Sequence, residues 1–138
     1  MTDTSLVTPL LESWQADPIA AKPAFLALYD WLAGQADVHL ELVARPGVSY
    51  SLRARHAGQK ARPFFAMVDV VDDDPAERWL SVCFFNDMVS DPDELGDFAP
   101  GGLFEQDALC LNLDEDNAAM RAYILARLAE AAQKAPQY

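Results

Sequence analysis

A chain of 138 residues with 51% hydrophobic and 10% aromatic residues has the size of one domain and enough apolar content for a core, which excludes a disordered chain. Its net charge of -12 disfavours nucleic acid and anionic membranes as partners, because both bind positive surfaces. No apolar run is long enough for a transmembrane helix, and the N-terminus lacks a secretion-signal pattern, so we expect a soluble cytoplasmic protein.

The chain is predicted to begin with an N-terminal extension, residues 1–22, that packs on the single domain formed by residues 1–138. Thr8 followed by Pro9 favours a short helix there, since Pro is well placed at the first helical position. A longer amphipathic helix follows and ends near Gly34. Its apolar face is formed by Phe25, Leu28, Tyr29 and Leu32.

Five stretches have the composition or alternation of strands. They cover residues 38–43, 48–55, 62–71, 79–85 and 108–113. The third and fourth are nearly continuous apolar runs joined by an acidic turn, so we expect them to form an antiparallel pair at the centre of a sheet. Arg45-Pro-Gly-Val48 between the first two has the residues of a type II turn.

The segment between the fourth and fifth strands, residues 86–106, is rich in Pro, Gly and acids and is predicted to be a long loop. Asp114-Glu-Asp-Asn117 then provides the cap of a last helix that runs to about Lys134. Successive strands with hairpin-like links favour an α+β fold. We therefore predict a five-stranded, mainly antiparallel sheet with the N- and C-terminal helices packed on one face.

Basic residues are concentrated in one hairpin. Residues 45–62 hold five of the ten basic residues and no acid, whereas residues 69–116 hold fifteen acids and a single Arg. Arg53 and Arg55, two positions apart on a strand, lie on the same face and are able to bind a carboxylate or phosphate. The predicted anion site comprises Arg53, Arg55, His56, Lys60 and Arg62. The alternative is that these cations pair with acids of the same chain.

The acids of the 86–106 segment raise a second possibility, a divalent-metal site at Asp91, Asp93 and Asp97. These residues do not match an EF-hand, because the positions that must supply further ligands hold Leu95 and Gly102. The sequence contains no nucleophile elbow, phosphate-binding loop, dinucleotide fingerprint or zinc motif. No catalytic residue and no cofactor are therefore predicted.

Cys83 and Cys110 both fall in predicted strands. They lack a Cys-x-x-Cys spacing, and no His or basic residue stands beside either one to lower its pKa. In a chain without an export signal we expect two buried free thiols that act as small hydrophobic residues, and no disulfide.

The order of elements resembles the small uncharacterised YdhG-like bacterial domains over residues 24–134. The matching pieces are the Gly47-Val-Ser-Tyr50 turn into a strand and Asp114-Glu-Asp-Asn117 leading into a helix that contains Ala129-Glu-Ala-Ala132. This resemblance implies a compact α+β domain and no catalytic residues. The order of elements also resembles frataxin-like domains, which bind iron on an acidic first helix, whereas the first helix here is only weakly acidic.

The leading functional hypothesis is a non-enzymatic binding or adaptor domain whose arginine-rich hairpin takes an anionic ligand or an acidic protein partner. The alternative is a metal-binding protein or an enzyme that uses carboxylates of the 86–106 segment. A homodimer is a further expectation, with Phe98, Leu103 and Phe104 either forming a self-association patch or pinning their segment to the core.

Overall fold

The computed structural model describes residues 3–138 and has an α+β fold. Its helices are α1 (Thr8–Ser13), α2 (Ala21–Ala33) and α3 (Ala118–Lys134), with short 3-10 segments at Ser5–Val7, Asn86–Met88 and Ala135–Gln137. Its strands are β1 (Val38–Arg45), β2 (Ser49–His56), β3 (Ala66–Val71), β4 (Trp79–Phe85), β5 (Asp97–Leu103) and β6 (Gln106–Leu113). Within residues 3–138, every helix is too short or too polar to cross a membrane.

The strands form one antiparallel sheet in the order β1-β2-β3-β4-β6-β5. The prediction of five strands was wrong, because β5 lies within the segment expected to be a loop. This strand contains Pro100, Gly101 and Gly102 and is irregular between Ala99 and Leu103. Such residues are tolerated only where one side of a strand is unpaired, so an edge strand of this kind carries no alternating pattern in its sequence.

One face of the sheet supplies much of the core, and the expected central pair is confirmed. β3 and β4 pair antiparallel, and every second side chain of β3 is buried. One cross-strand row shows the arrangement, since Leu52, Val68, Val82 and Leu111 stand side by side and each is 0% exposed. The buried side chains of α2 and α3 belong to the same hydrophobic cluster as those of the strands.

Two local predictions are confirmed at the chain reversals. Gly47 has φ +86°, and the Val48 N–H donates to the Arg45 carbonyl at 2.8 Å, as a type II turn requires. Asn117 caps α3 by accepting a hydrogen bond from the Met120 N–H at 3.0 Å. These two features depend on neighbouring residues alone, which is why they are readable from the sequence.

The N-terminal segment packs into the core and contacts a buried ion pair. Leu10 and Trp14 are buried. The Arg78 Nε donates to Asp72 at 2.7 Å, while its Nη2 donates to Ser13 at the end of α1 at 3.2 Å. Arg78 is only 3% exposed, and Asp72 only 2%. The first two residues of the predicted 1–22 extension lie outside the described residues.

The expectation of two free thiols was wrong. Cys83 and Cys110 stand directly opposite each other on β4 and β6, with Cα atoms 4.1 Å apart, and form a disulfide. This separation is typical of a non-hydrogen-bonded antiparallel pair, where facing side chains come closest. Sequence spacing gave no indication of the pairing, because 27 positions separate the two residues.

Candidate functional site

A cavity of about 240 Å³ lies at the end of the sheet where β1 begins and β2 ends. It is shared by four parts of the chain: the start of β1, the end of β2, the segment before β3 and the β5–β6 turn. Its lining residues are His39, Leu40, Glu41, Arg53, Arg55, Pro63, Phe64 and Phe104. We call it the arginine pocket, because Arg53 and Arg55 supply its positive charge.

The two arginines project from the same face of β2. In the sheet register Arg53 stands opposite Glu41 and Arg55 opposite His39. Neither forms an ion pair within 4.0 Å in the described chain, residues 3–138. The Arg53 Nε makes only a long hydrogen bond, 3.4 Å, to Ser51. The alternative of a direct ion pair with an acid of the same chain is therefore absent for Arg53 and Arg55 among the described residues, and both guanidinium groups retain donors for another acceptor.

An aromatic wall completes the arginine pocket. Phe64 is 2% exposed and packs on Phe85 with ring centroids 5.5 Å apart, so its position is set by the core. Phe104 is 60% exposed, and its ring centroid lies 5.7 Å from that of Phe64. The Arg53 guanidinium carbon is 5.9 Å from the Phe64 centroid, within cation–π range. The pocket thus combines donors for an anion with a flat apolar surface.

A strained turn presents Phe104. Both Phe104, at φ +50°, and Glu105, at φ +65°, adopt left-handed backbone conformations in the tight turn between β5 and β6. Residues other than Gly, Asn and Asp rarely adopt this conformation, and the strain is tolerated where the surrounding structure enforces it. The sequence prediction assigned Phe104 either to a self-association patch or to pinning its segment to the core, and it missed that Phe104 lines this cavity.

Arg62 belongs to the predicted site but is already engaged. Its guanidinium forms a two-pronged ion pair with Asp87 at 2.6 and 2.9 Å and lies 4.4 Å from the ring centroids of both Phe85 and Tyr138. The hydrogen bond from Arg62 holds the pKa of Asp87 below its ordinary value. For Arg62 the alternative, pairing with an acid of the chain, is what the structure contains.

The other two predicted residues lie apart from the pocket. His56 faces a different cavity, beside Trp31 on α2, and its Nδ1 accepts the Gly58 N–H at 2.9 Å. Lys60 is exposed in the loop after β2 and does not line the pocket. Of the five residues predicted for an anion site, the structure brings together Arg53 and Arg55.

The predicted metal ligands do not converge. Asp91 accepts hydrogen bonds from the Gly96 N–H, at 2.9 Å, and from the Tyr123 hydroxyl. Burial would raise its pKa, but these hydrogen bonds outweigh burial and lower it. Asp93 is exposed in the turn and Asp97 lies at the start of β5. Over residues 3–138 no three His, Cys, Asp or Glu side chains are grouped to hold a metal ion.

A half-buried carboxylate lies near the arginines and was missed from sequence. Asp69 stands opposite Ser51 and Ser81 in the middle of the sheet. Burial raises its pKa, and the charges of Arg53 and Arg45 only moderate that effect. Its Oδ1 is buried without a hydrogen-bond partner. The sequence did contain a signal for this carboxylate, because an acid inside the apolar run Met67-Val-Asp-Val-Val71 is unusual.

Comparison with known proteins provides no relative for this chain: no protein-family model, curated protein or solved structure matches it. The resemblance to YdhG-like domains therefore remains an untested expectation.

Proposed function

We propose that this protein is a binding protein that holds a small organic anion in the arginine pocket. The observation that carries this proposal is the pair Arg53 and Arg55, which face one cavity without an ion pair of their own. Arginine donors in a partly desolvated cavity are suited to a carboxylate, which accepts two parallel hydrogen bonds.

The aromatic wall narrows the ligand class to a carboxylate joined to a flat apolar body. Phe64 and Phe104 line the cavity and pack on each other, and the exposed ring of Phe104 is available to a planar ligand. The cavity of about 240 Å³ lies just below the usual range for small-molecule sites, roughly 300–1,000 Å³. This size favours a ligand of about ten heavy atoms over a large cofactor, and an acidic peptide would have to present the same chemistry in a side chain.

The proposal includes a placement of α2 and α3 on the same face of the sheet. A narrow apolar groove is lined by Leu28 of α2, Leu113 of β6 and Ile124 of α3, which is consistent with both helices lying side by side on the core face. The face that carries Arg53 would then be left free of helices and reachable by a ligand. No covalent step is included, since the pocket lining lacks a Ser or Cys nucleophile.

The test uses benzoate, acetate and benzamide as probes, titrated into the full chain and followed by amide chemical shifts. Benzoate carries both features of the proposed ligand, acetate lacks the ring and benzamide lacks the charge. We expect benzoate to bind more tightly than acetate, and benzamide to bind least, because a hydrogen bond to a charged group contributes about 1.5–3 kcal/mol.

Variants locate the binding. Arg53→Ala and Arg55→Ala are each expected to weaken benzoate binding about tenfold or more, which corresponds to the loss of one such bond. Arg45→Ala is the matched control, because Arg45 is exposed on the same hairpin but outside the pocket. Equal affinity for benzoate and benzamide, or equal losses in all three variants, would contradict the proposed function.

A further inference from the structure

We infer that a second copy of this chain pairs with the outer edge of β1, which joins two sheets into one of twelve strands. β1 pairs with β2 on one side only and forms one end of the sheet. All eight residues from Val38 to Arg45 are in regular register with β2, without a bulge. A long, regular edge strand is a ready template for another strand, and proteins usually interrupt or charge such edges.

The two edges of the sheet differ in this respect. The opposite edge, β5, is interrupted by Pro100, Gly101 and Gly102 and by an irregular register. β1 has no Pro or Gly, and within residues 3–138 no other backbone segment hydrogen-bonds to its outer side. The sequence offered Phe98, Leu103 and Phe104 either as a self-association patch or as residues that pin their segment to the core, whereas this inference places self-association at β1.

The hydrogen-bond alternation identifies the free groups. Ala57 donates to the Asp37 carbonyl at 2.8 Å, and Phe65 donates to the Ala54 carbonyl at 2.7 Å. In an antiparallel ladder the bonding direction alternates along the strand, so the odd-numbered residues of β1 bond to β2. The N–H and C=O groups of Val38, Leu40 and Leu42 consequently point outward.

The apolar side chains at this edge are incompletely covered. Val38, Leu40 and Leu42 are only half-buried, whereas the residues opposite the last two on β2, Ala54 and Leu52, are 0% exposed. A strand added beside β1 would cover this apolar surface and satisfy the outward backbone groups at the same time.

Side-chain complementarity selects a second copy as the occupant, because an imidazole N–H is able to donate to a carboxylate. In the two-fold register centred on Leu40, His39 of each copy stands opposite Glu41 of the other, and Val38 opposite Leu42. A two-residue shift in one direction would place Glu41 against Glu41. A four-residue shift would place His39 against Arg45 and leave Glu41 opposite the apolar Val43. A longer shift pairs Glu41 with Arg45, but Pro46 then ends the ladder and removes most of the hydrogen bonds.

The overall charge favours this edge over other surfaces. The chain carries -12, so two copies repel each other. Residues 38–65, however, contain a single acid, Glu41, and five basic residues, so contact through β1 keeps the acidic parts apart. The strand contact is small compared with stable interfaces, so we expect a dissociation constant on the order of 10 µM.

Sedimentation equilibrium of the full chain, from about 1 µM to about 1 mM, tests the inference. The mass is expected to rise from 15.2 kDa to twice that value and no further. His39→Glu places like charges opposite each other at two symmetric positions and is expected to weaken association roughly tenfold. Adding Glu41→Lys to His39→Glu replaces the like charges with opposite charges and is expected to restore the dimer. Both positions are exposed, so the fold is preserved.

A double variant separates this inference from the proposed function. Combining Arg53→Ala with Arg55→Ala is expected to remove benzoate binding and to leave the dimer intact. Amide exchange provides a second readout, since the Leu40 and Leu42 N–H groups become protected only at dimer concentrations. A mass of 15.2 kDa at every concentration, growth beyond two copies, or a dimer that His39→Glu leaves unchanged would each overturn the inference.

Discussion

Replacing Asp72 with Asn is expected to destabilise the fold severely, because it leaves a buried cation without its counter-charge. Asp72 and Arg78 are 2% and 3% exposed and are joined by a 2.7 Å ion pair. The substitution keeps the size of the side chain and an acceptor for the Gly47 N–H, which Asp72 binds at 2.8 Å. What it removes is the negative charge and the second acceptor oxygen, which accepts from the Arg78 Nε.

The expected magnitude follows from the burial of both partners. Removing one member of a buried pair costs about 3–5 kcal/mol, and a domain has only about 5–15 kcal/mol in total. The remaining contacts of Arg78, with Ser13 at 3.2 Å and with the rings of Trp14 and Tyr50 at 5.5 Å, do not supply a charge. We expect a loss of about 3 kcal/mol in the free energy of unfolding, which corresponds to roughly 10 °C in Tm.

Urea denaturation of four variants provides the assay. Asp73→Asn is the matched control, since Asp73 is exposed in the same turn, and it is expected to change stability by less than about 0.5 kcal/mol. Arg78→Met alone leaves a buried carboxylate, whereas Arg78→Met with Asp72→Asn removes both charges. The double variant is expected to lose about 2 kcal/mol less than the sum of the single losses. Additive losses, or an Asp72→Asn loss equal to that of the control, would refute the argument.

The same carboxylate makes stability depend on pH. Burial would raise the pKa of Asp72, but the hydrogen bonds from Gly47 and Arg78 and the charge of Arg78 outweigh burial and lower it. A lowered folded-state pKa means that the stabilisation is complete above the unfolded-state pKa, about 3.9, and is lost as the pH falls through the folded value. The Tm of the Asp72→Asn variant is therefore expected to depend less on pH below about pH 4.

Three further measurements test other parts of the structure. Thiol titration of unfolded but unreduced protein is expected to detect neither Cys83 nor Cys110, and two free thiols before reduction would contradict the disulfide. Reduction is expected to lower the free energy of unfolding by about 3 kcal/mol, since the disulfide closes a loop of 27 positions. Asp69→Asn is expected to raise Tm at pH 7, because burial raises the pKa of Asp69 and its ionised form opposes folding there; a lower Tm would show that its contacts with the arginines dominate. Asp87→Asn is expected to lower Tm at pH 7 but not in strong acid, since the hydrogen bond from Arg62 lowers the pKa of Asp87 and is lost on protonation; equal effects at both pH values would count against the ion pair.

The candidate site was predictable from the sequence only in part. Two arginines at alternate positions of a strand must lie on one face, so Arg53 and Arg55 were identified correctly as neighbours. Whether each nearby cation was already paired could not be predicted, because Arg62 finds its partner Asp87 across 25 positions of the chain. The aromatic wall was equally unpredictable, since Phe64 precedes β3 and Phe104 lies in the β5–β6 turn, 40 positions further along the chain.

The sequence by itself determined the elements whose pattern is local. The apolar runs of β3 and β4, the helical spacing from Phe25 to Leu32 and the Pro-Gly turn before Val48 each follow from the steric preferences of adjacent residues. Only the tertiary structure decided the strand β5, the Cys83–Cys110 pairing and the division between engaged and free arginines. The physical reason is that each of these depends on which distant segments meet in the sheet, and a contact across many residues leaves no periodic trace in the chain.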